Sequence, residues 1–397
     1  MKITAIICEY NPLTNGHAEH IRRARLETGA DTILCVMSGS FTQRGEAAIA
    51  DKYMRAEQAI HAGADIVVEL PTIYAISPAD NFAYGAIKTI SAFPDVHYLS
   101  FGSECGDAEK INLVASLLAN EPEEFSTYLR NHLDNGIVFP KARALALKDY
   151  ITTHPEFEGC EDLLDSPNNI LGIAYAIQII KAGLEINLHT IKREGGEFDS
   201  TDINVELPSS SAVRKAFAHG DFESLKTAVP ESVLGMLSVI KPQTDALGDM
   251  TLFKIKSISG YELERYYDVT GGIHNRLKIA AATASTIEEM LEAAKTKAYT
   301  MARLKRICLY ALFDITKSDY EECVKCPPYV QILALKQDRK DILSLLSMGC
   351  KNVLTRYSDI NKVDKSLRYM VKLDFTAQGT LDIINRNNVY NKKMLLV

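Results

Sequence analysis

A glycine and two histidines follow the first apolar run of the chain at a spacing suited to binding a phosphate group. The run Ile3–Cys8 leads into a turn-forming segment that ends in Gly16, and His17 and His20 come next. A glycine lets the backbone approach a ligand closely, because it has no Cβ atom. A helix predicted over 17–28 would place both histidines on one face, close to N–H groups and a helix dipole that favour anions. As imidazolium ions, they would stabilise charge that develops on a phosphate and its leaving group.

Two partial motifs point to the same chemistry. Thr14-Asn15-Gly16-His17 fits the [HT]xGH signature of nucleotidyltransferases and class I tRNA synthetases, which grip the phosphates of ATP after the first strand. A turn glycine beside an incidental histidine would look the same. The segment 208–214 resembles the later ISSTxIR element of that superfamily, in which Ser210, Ser211 and Arg214 would bind phosphates. An ordinary serine helix cap is the alternative. Two such motifs in the right order, each at a strand-to-helix junction, are much rarer by chance than either alone.

Three further segments complete the candidate site. The loop 38–46 follows the second predicted strand and carries Arg44. Because ligands of open α/β sheets bind beyond the carboxyl ends of the strands, we expect Arg44 to orient a second substrate. Gly102 ends the fourth strand and offers a close backbone approach. Asn168 and Asn169 open a later helix, where one could cap the helix and the other read a base or ribose; capping alone is the plainer interpretation.

Strand and helix patterns alternate through the first half of the chain. The predicted strands are 3–8, 32–37, 65–70, 96–101 and 185–191, with helices over 17–28, 51–63, 80–92, 168–181 and 209–219. This alternation is typical of βαβ units and a parallel sheet. We therefore predict an α/β fold: a Rossmann-like nucleotidyltransferase domain over 1–220 with a helical insertion at about 107–165, then a mainly α-helical domain over 221–397.

Charge is distributed unevenly along the chain. Residues 1–250 hold 20 Lys and Arg against 35 Asp and Glu, whereas residues 251–397 hold 24 against 16. A basic C-terminal part on an acidic chain suggests a surface for a polyanion, although a lysine-rich helical domain would have the same composition. The candidate phosphate contacts are Lys297, Arg303, Lys305 and Arg306. A solvated helix face is the alternative interpretation of these four residues.

The composition excludes several classes of protein. With 47% hydrophobic and 24% charged residues, the chain is neither a disordered tail nor a low-complexity scaffold. It shows neither the ~18 consecutive apolar residues of a membrane helix nor a signal peptide, so we expect a cytoplasmic protein with no membrane partner. The eight scattered cysteines are typical of buried thiols. Cys323 and Cys326 have metal or redox spacing but no further ligands nearby, so we expect no structural metal.

Over nearly its whole length, the chain resembles the bacterial tRNA(Met) cytidine acetate ligase family. The matching runs include Glu9-Tyr10-Asn11-Pro12, Asn15-Gly16-His17 with His20, Ser38-Gly39, Gln43-Arg44-Gly45-Glu46, Asp51-Lys52 with Arg55, Phe101-Gly102-Ser103-Glu104, 166–172, and Thr296-Lys297 with Tyr299-Thr300. The resemblance implies that ATP serves as a substrate, with Mg²⁺ on its triphosphate, to adenylate acetate. The acetyl group of acetyl-AMP would then pass to N4 of the wobble cytidine of elongator tRNA(Met), giving N4-acetylcytidine.

The resemblance also implies which residues contact ATP. They are Ile7, Cys8, Glu9, Tyr10, Asn11, Pro12, Leu13, Thr14, Asn15, Gly16, His17, Ala18, Glu19, His20, Gly102, Asn169 and Arg193, to which the second motif adds Ser210, Ser211 and Arg214. We take His17, His20 and Arg44 as the catalytic residues. Two positions depart from the family pattern. Thr14 replaces the usual first histidine, and Glu197-Phe198-Asp199 stands where a Tyr-His-Asp-like triplet is more usual; no role is predicted for that triplet.

Two other functions stay open on the sequence alone. An adenylyltransferase that joins AMP to a phosphorylated small molecule would use the same TxGH motif, but it needs no basic helical domain. A non-catalytic RNA-binding protein is the second alternative. The intact TxGH and serine–arginine elements argue against it.

Overall fold

One mixed sheet of eight strands runs through the part of the chain that the structure describes. The computed structural model describes residues 1–193, 202–203, 205, 207–241, 243–386 and 393–397, so the triplet 197–199 lies outside it. The strands are β1 (Ile3–Cys8), β2 (Thr32–Ser38), β3 (Ile66–Leu70), β4 (Val96–Ser103), β5 (Asn187–Lys192), β6 (Val330–Leu335), β7 (Val353–Leu354) and β8 (Leu395–Leu396). Their order is β5-β4-β1-β2-β3-β6-β7, and β8 also pairs with β6.

Strands β1 to β5 pair with one another in parallel, which confirms the Rossmann-like arrangement predicted from the sequence. From β1 the chain first builds outward through β2 and β3, and then returns to place β4 on the other side of β1. The strand order therefore reverses between β1 and β4. At such a point the connections leave in opposite directions and open a crevice beyond the carboxyl ends of the strands.

Helices cover both faces of the sheet. They are α1 (Asn15–Thr28), α2 (Lys52–His61), α3 (Thr72–Ala75), α4 (Ala79–Ile90), α5 (Ala108–Asn120), α6 (Glu123–Asp134), α7 (Phe139–Ile151), α8 (Pro167–Ala182), α9 (Ser210–Ala218), α10 (Phe222–Ala228), α11 (Glu231–Val239), α12 (Ala246–Ser257), α13 (Gly260–Glu264), α14 (Ile273–Thr283), α15 (Ile287–Ala294), α16 (Met301–Leu312), α17 (Lys317–Lys325), α18 (Asp341–Gly349) and α19 (Arg368–Ile384). The helices α5, α6 and α7 occupy the stretch predicted as a helical insertion. None of the described helices is long and apolar enough to cross a membrane.

The two-layer packing follows from the side-chain alternation of the central strands. In β2, Leu34 and Val36 belong to one apolar core, while Ile33, Cys35 and Met37 belong to the core on the other face. Successive side chains of a strand point to opposite faces, so a strand that is apolar throughout must be covered on both sides. All seven residues of β2 are accordingly buried.

The C-terminal part differs from the predicted helical domain in one respect. Residues 221–397 are mostly helical, but β6 joins the N-terminal sheet antiparallel to β3, and β7 and β8 both pair with β6. Six buried residues in a row cannot be assigned to a strand or a buried helix from periodicity alone. Pairing with β6 covers the edge of β3, which would otherwise expose unpaired N–H and C=O groups. The two parts of the chain therefore share one sheet.

A buried ion pair joins α2 to β3. The Nζ atom of Lys52 lies 2.8 and 2.6 Å from the two carboxylate oxygens of Glu69. The two side chains are 0% and 1% exposed. Removing the cation would leave a carboxylate buried without its counter-charge, which costs more than the pair itself contributes.

We expect Lys52→Met to lower the free energy of unfolding by about 3–5 kcal/mol, measured by urea denaturation. The double variant Lys52→Met/Glu69→Leu should recover part of this loss, because it removes the unpaired Glu69 carboxylate, while the buried carboxylate of Asp374 still loses the nearby charge of Lys52. As a control, Lys226→Met removes the exposed pair with Glu223 and should cost less than about 1 kcal/mol. Equal losses for the two single variants would show that burial adds nothing to the cost of breaking the Lys52–Glu69 pair.

Candidate active site

A cavity of about 400 Å³ opens at the carboxyl ends of β1 and β4, where the strand order reverses. Of the residues predicted to be catalytic or to contact ATP, sixteen line it: Ile7, Cys8, Glu9, Tyr10, Asn11, Thr14, Gly16, His17, Glu19, His20, Arg44, Gly102, Arg193, Ser210, Ser211 and Arg214. Segments that are up to about two hundred positions apart in the sequence thus meet in one place. Five other described residues from the prediction do not line the cavity: Pro12, Leu13, Asn15, Ala18 and Asn169.

Three of these five residues make contacts within the protein that stabilise its structure. Leu13 is buried in the core, and Asn15 donates its side-chain N–H to the carbonyl of Thr227. Asn169 accepts hydrogen bonds from the backbone N–H groups of Glu104 and Cys105, at 3.0 and 3.2 Å. It therefore fixes the turn after β4, and its neighbour Asn168 reaches the cavity.

His17 is held by the residue that replaces the family's usual first histidine. The backbone N–H of Thr14 donates to Nδ1 of His17 at 3.1 Å, and the Thr14 hydroxyl lies 3.3 Å from the same atom. A backbone N–H can only donate, so Nδ1 must be the acceptor, and in the neutral ring Nε2 carries the proton. The site therefore presents an N–H group of His17 to the cavity.

Both histidines are neutral in the ligand-free cavity, which differs from the imidazolium pair expected from the sequence. Burial, together with the charges of Arg193 and His20, lowers the pKa of His17 to about 3. Burial, followed by His189, Arg193 and Arg23, lowers the pKa of His20 to about 4. The reason is tertiary: two imidazoles that look alike in the sequence are enclosed beside several arginines.

Arg193 reaches the cavity across a glycine. A Cβ atom at position 102 would lie 3.3 Å from Cγ of Arg193, and the backbone N–H of Arg193 bonds to the carbonyl of Ser103 at 2.9 Å. The absence of a side chain at Gly102 lets the guanidinium stem lie close against the end of β4. The sequence predicted that a ligand could approach the backbone closely at Gly102. In the structure, the side chain of Arg193 also lies against this glycine.

A second arginine, Arg55, holds the backbone below the cavity. It is 1% exposed, and its guanidinium donates to the carbonyls of Glu9 (2.6 Å), Ser38 (3.1 Å) and Ala50 (3.0 Å). It also bonds to the carbonyl of Gly39. Burial lowers the pKa of Arg55 to about 10, which leaves it charged at neutral pH. The ends of β1 and β2 thus share one buried cation.

The carboxylate of Glu9 joins β1 to the loop that carries Arg44. Its Oε1 atom accepts the backbone N–H of Gln43 at 2.7 Å and the hydroxyl of Ser38 at 3.4 Å. Burial raises the pKa of Glu9, although the Gln43 hydrogen bond and the nearby arginines Arg55, Arg214 and Arg44 oppose that shift. Arg44 is therefore close enough to the end of β1 to act on a ligand bound there.

The start of α9 is fixed to the turn that precedes α1. The Ser210 hydroxyl donates to the carbonyl of Pro12 at 3.0 Å, and Arg214 donates to the carbonyl of Asn11 at 2.7 Å. The hydroxyl of Ser209 caps the helix. The second motif is thus in direct contact with the turn that leads into the TxGH motif, and Ser210, Ser211 and Arg214 border the same cavity as His17.

Two of the residues expected to contact tRNA instead contact the Arg44 loop. Nζ of Lys305 lies 2.6 Å from Oε1 of Glu46, and Arg306 donates to the carbonyl of Gln43 at 3.3 Å. Arg306 is only 8% exposed, because the loop packs closely against the backbone of α16. For Arg306 this differs from the predicted surface role, whereas the Lys305 side chain remains 31% exposed. Periodicity along α16 could not reveal it, since the contact joins residues about 260 positions apart.

The other two candidates differ from each other in exposure. Lys297 is exposed. Arg303 is partly buried and pairs with Asp268 at 3.1 Å.

Several residues that line the cavity were not predicted. They are Ile6, Arg23, Thr42, Gln43, Glu46, Phe82, Phe101, Leu171, Tyr175, Ile191, Lys192, Leu207, Pro208 and Ser209, whereas Asn168, which also lines the cavity, was one of the two asparagines considered from the sequence. Arg23 could have been found, because it lies one helical turn after His20 on α1. Phe82 and Tyr175 gave no signal, since each stands in a helix as an ordinary core aromatic.

Comparisons with known proteins agree with this geometry. Residues 1–394 match the family described as HIGH Nucleotidyl Transferase. A tRNA(Met) cytidine acetate ligase from Caldanaerobacter subterraneus subsp. tengcongensis is 37% identical over 349 residues, which cover 86% of this chain and 85% of that protein. The chain belongs to the tRNA(Met) cytidine acetate ligase family. The resemblance inferred from the motifs is thereby confirmed.

Solved structures of this family superpose on the whole chain. The crystal structure of Thermotoga maritima TmcAL in its apo form has a TM-score of 0.93 and 30% identity, with both chains fully covered. The same protein bound with alpha-thio ATP has a TM-score of 0.92 and 29% identity over the same coverage.

The contact between α16 and the Arg44 loop leads to a testable prediction. Burial acts against ionisation of Glu46, but Lys305 and Arg214 hold its pKa below the ordinary value, so the ion pair with Lys305 is formed at neutral pH. We expect Lys305→Ala to lower acetate-dependent ATP–pyrophosphate exchange, measured without tRNA, about fivefold, as for the loss of ~1 kcal/mol from a partly exposed ion pair.

Lys297→Ala is the matched control for this experiment. Lys297 is an exposed lysine of the same basic region, and its loss should not change exchange in the absence of tRNA. Unchanged exchange in Lys305→Ala would show that the ion pair does not support the loop.

Proposed function

We propose that this chain is an ATP-dependent ligase that acetylates a cytidine of tRNA. It adenylates acetate, and it then transfers the acetyl group to N4 of the wobble cytidine of elongator tRNA(Met), forming N4-acetylcytidine. The observation that carries the proposal is the single cavity in which the TxGH turn, the start of α9 and three strand ends meet. Its support is the family relationship, together with a relative of the same fold that binds alpha-thio ATP.

The cavity has the chemistry of a triphosphate site. His17 offers an N–H group at the start of α1, and four arginines line the walls: Arg23, Arg44, Arg193 and Arg214. A Cβ atom at position 16 would meet Thr14 Oγ1 at an ordinary 3.7 Å, so the packing of the described residues does not itself require Gly16. A ligand that lies against the backbone there explains the glycine.

The first step is formation of acetyl-AMP. A carboxylate oxygen of acetate attacks the α-phosphorus of ATP, and the bond from that phosphorus to the bridging oxygen of the β-phosphate breaks, releasing pyrophosphate. Positioning and charge neutralisation supply most of the catalysis in such a reaction. His17 and the arginines bind the phosphates, and Arg44 orients the carboxylate from its loop beside Glu9. The predicted roles of His20, Ser210 and Ser211 as phosphate contacts belong to this step.

The second step is acyl transfer to tRNA. The N4 amine of cytidine attacks the acetyl carbonyl carbon, AMP departs with the oxygen of the broken C–O bond, and N4 loses one proton. A single-stranded anticodon base can be splayed out and enter a pocket. We propose that the basic C-terminal part holds the tRNA, with Lys297 and Arg303 as its candidate phosphate contacts.

We propose that Mg²⁺ enters with the triphosphate. No group of three or more His, Cys, Asp or Glu side chains is arranged to hold a metal ion within the described ranges. Phosphate oxygens and water can carry Mg²⁺, which usually keeps several waters and needs few protein ligands. Because ATP and tRNA are both available in the cytosol, we also propose a cytoplasmic location.

The decisive experiment analyses nucleosides from tRNA incubated with the enzyme, ATP and isotopically labelled acetate. We expect labelled N4-acetylcytidine at the wobble position, detected by mass spectrometry, together with free AMP. A tRNA transcript with uridine at that position is the matched control, because uridine lacks the amine. His17→Ala should lower the yield at least about 100-fold, as for the loss of one preorganised donor.

Two results would contradict the proposal. A product that keeps the AMP group would indicate an adenylyltransferase acting on a small phosphorylated molecule. Binding of tRNA without acetate-dependent pyrophosphate exchange would indicate a non-catalytic RNA-binding protein.

The proposed role of Arg44 makes a separate prediction. Arg44→Ala should raise the KM for acetate about tenfold, as for the loss of a charge-assisted contact, and leave the KM for ATP nearly unchanged. Both constants are measured by pyrophosphate exchange. Arg130→Ala, which removes an exposed arginine of α6, is the control and should change neither. An equal rise in both constants would remove acetate orientation from the role of Arg44.

A further inference from the structure

A line of polar side chains lies between α1 and the sheet, where apolar packing is the rule. His20 and Glu27 are seven positions apart on α1, so they lie on one face two helical turns from each other. Ser100 on β4 is paired in register with His189 on β5. Ser100 is fully buried. Two imidazoles, a hydroxyl and a carboxylate thus occupy a helix–sheet interface beside the cavity.

The four side chains form a continuous hydrogen-bonded chain. Nε2 of His20 lies 2.9 Å from Oγ of Ser100, and the same Oγ lies 2.9 Å from Nδ1 of His189. The other nitrogen of His189, Nε2, lies 3.0 Å from Oε2 of Glu27. The chain therefore runs from the cavity, which His20 lines, to a carboxylate whose side chain is 38% exposed.

Donor and acceptor rules allow only two arrangements of protons along this chain. The Glu27 carboxylate only accepts, so Nε2 of His189 always carries a proton. If His189 is neutral, the Ser100 hydroxyl donates to its Nδ1, and Nε2 of His20 donates to the Ser100 oxygen. If His189 is protonated, the direction reverses: Nδ1 of His189 donates to Ser100, and Ser100 donates to His20.

The two arrangements give Nδ1 of His20 opposite hydrogen-bonding roles towards a ligand. In the first, a neutral His20 has its proton on Nε2 and presents a lone pair on Nδ1, which repels phosphate oxygens. In the second, a neutral His20 carries its proton on Nδ1 and donates. Among the described residues Nδ1 has no hydrogen-bond partner, so this atom is the one that a bound ligand can meet.

We propose that Glu27, His189 and Ser100 are positioning residues that let His20 present an N–H group to the triphosphate of ATP. The proposal rests on the proposed use of ATP at this site. When ATP binds, the four hydrogen-bonded side chains together take up one proton from solvent. The proton resides on His189, beside Glu27, while a neutral His20 donates through Nδ1 to a phosphate oxygen. No covalent bond other than N–H and O–H bonds changes.

The surrounding charges oppose proton uptake before ATP binds and favour it once ATP is bound. The other charged or titratable groups that act on His20 are Arg23 and His17 on α1 and Arg193 after β5. Arg23 also pairs with Oε1 of Glu27 at 2.6 Å. Before ATP binds, the two arginines disfavour a positive charge on His20. The negative charge of a bound triphosphate reverses that balance, and the Glu27 carboxylate favours the extra charge on His189.

The test combines calorimetry with kinetics. ATP binding is measured in two buffers of different ionisation enthalpy, which gives the number of protons taken up, and pyrophosphate exchange gives kcat and KM as functions of pH. For the unmodified chain we expect uptake approaching one proton at neutral pH. The active form carries the extra proton. Therefore kcat/KM for ATP should fall as the pH rises through the pKa at which the hydrogen-bonded side chains lose that proton.

Three variants interrupt the series of hydrogen bonds from His20 to Glu27 at different points. Ser100→Ala and His189→Gln should abolish proton uptake and lower kcat/KM for ATP ten- to a hundredfold, since His20 is no longer oriented. Glu27→Gln keeps a hydrogen-bond acceptor but loses the charge, so the alkaline loss of activity should move to lower pH by about one unit. Glu27 is the most exposed member, which makes this variant the one least at risk of misfolding. Ser100→Thr keeps the hydroxyl and should retain proton uptake.

His97→Gln is the matched control, because His97 is an exposed histidine of β4 whose Nδ1 contacts only the nearby carbonyl of Asp95 among the described residues. It should behave as the unmodified chain. The proposal is overturned if the unmodified chain takes up no proton on binding ATP. It is also overturned if Ser100→Ala and His189→Gln, shown to be folded by thermal unfolding, keep the original proton uptake and pH profile. Calorimetry needs neither acetate nor tRNA, so proton-linked ATP binding without acetate activation would refute the proposed function alone.

Discussion

The carbonyl groups at the ends of β1 and β2 need hydrogen-bond donors where the sheet stops supplying them, and a single buried arginine meets that need. Arg55 bonds to carbonyls of both strand ends and of the segment before α2. Backbone acceptors buried without partners are costly, so the guanidinium fixes these loops more firmly than their own sequences could. The turn that begins α1 and the loop that carries Arg44 thereby share one anchor, and the geometry of the cavity follows from it.

The electrostatics of the cavity depend on this close assembly. Four arginines and two imidazoles line a space at the mouth of a largely apolar sheet. Crowding and burial keep both imidazoles neutral, whereas the guanidinium groups remain charged because their intrinsic pKa is so high. The site is therefore prepared for an anion of high charge density. We propose that its histidines act as oriented N–H donors once a ligand binds, while the arginines supply fixed positive charge.

The C-terminal part of the chain supports the site as well as extending the molecule. Strand β6 completes the edge of the sheet beside β3, and α16 carries the lysine and arginine that contact the Arg44 loop. Both features explain why a division at residue 220 does not describe the packing. A loop that touches two distant parts of the chain can couple them, since a shift of α16 displaces the residues that border the cavity.

The sequence by itself determined the parallel α/β core, the carboxyl ends of its strands as the place of the site, and about half of the residues around the cavity. Apolar periodicity and turn residues are local signals, and the TxGH and serine–arginine motifs each lie within one turn of a helix start. Tertiary structure alone decided which residues act together across the sheet. The short run at 330–335 becomes a strand because β3 has an open edge. Lys305 becomes a loop contact because α16 packs there. Ser100 and His189 meet because β4 and β5 pair in that register. Each of these depends on distances between segments far apart in the chain, and a local pattern carries no information about such distances.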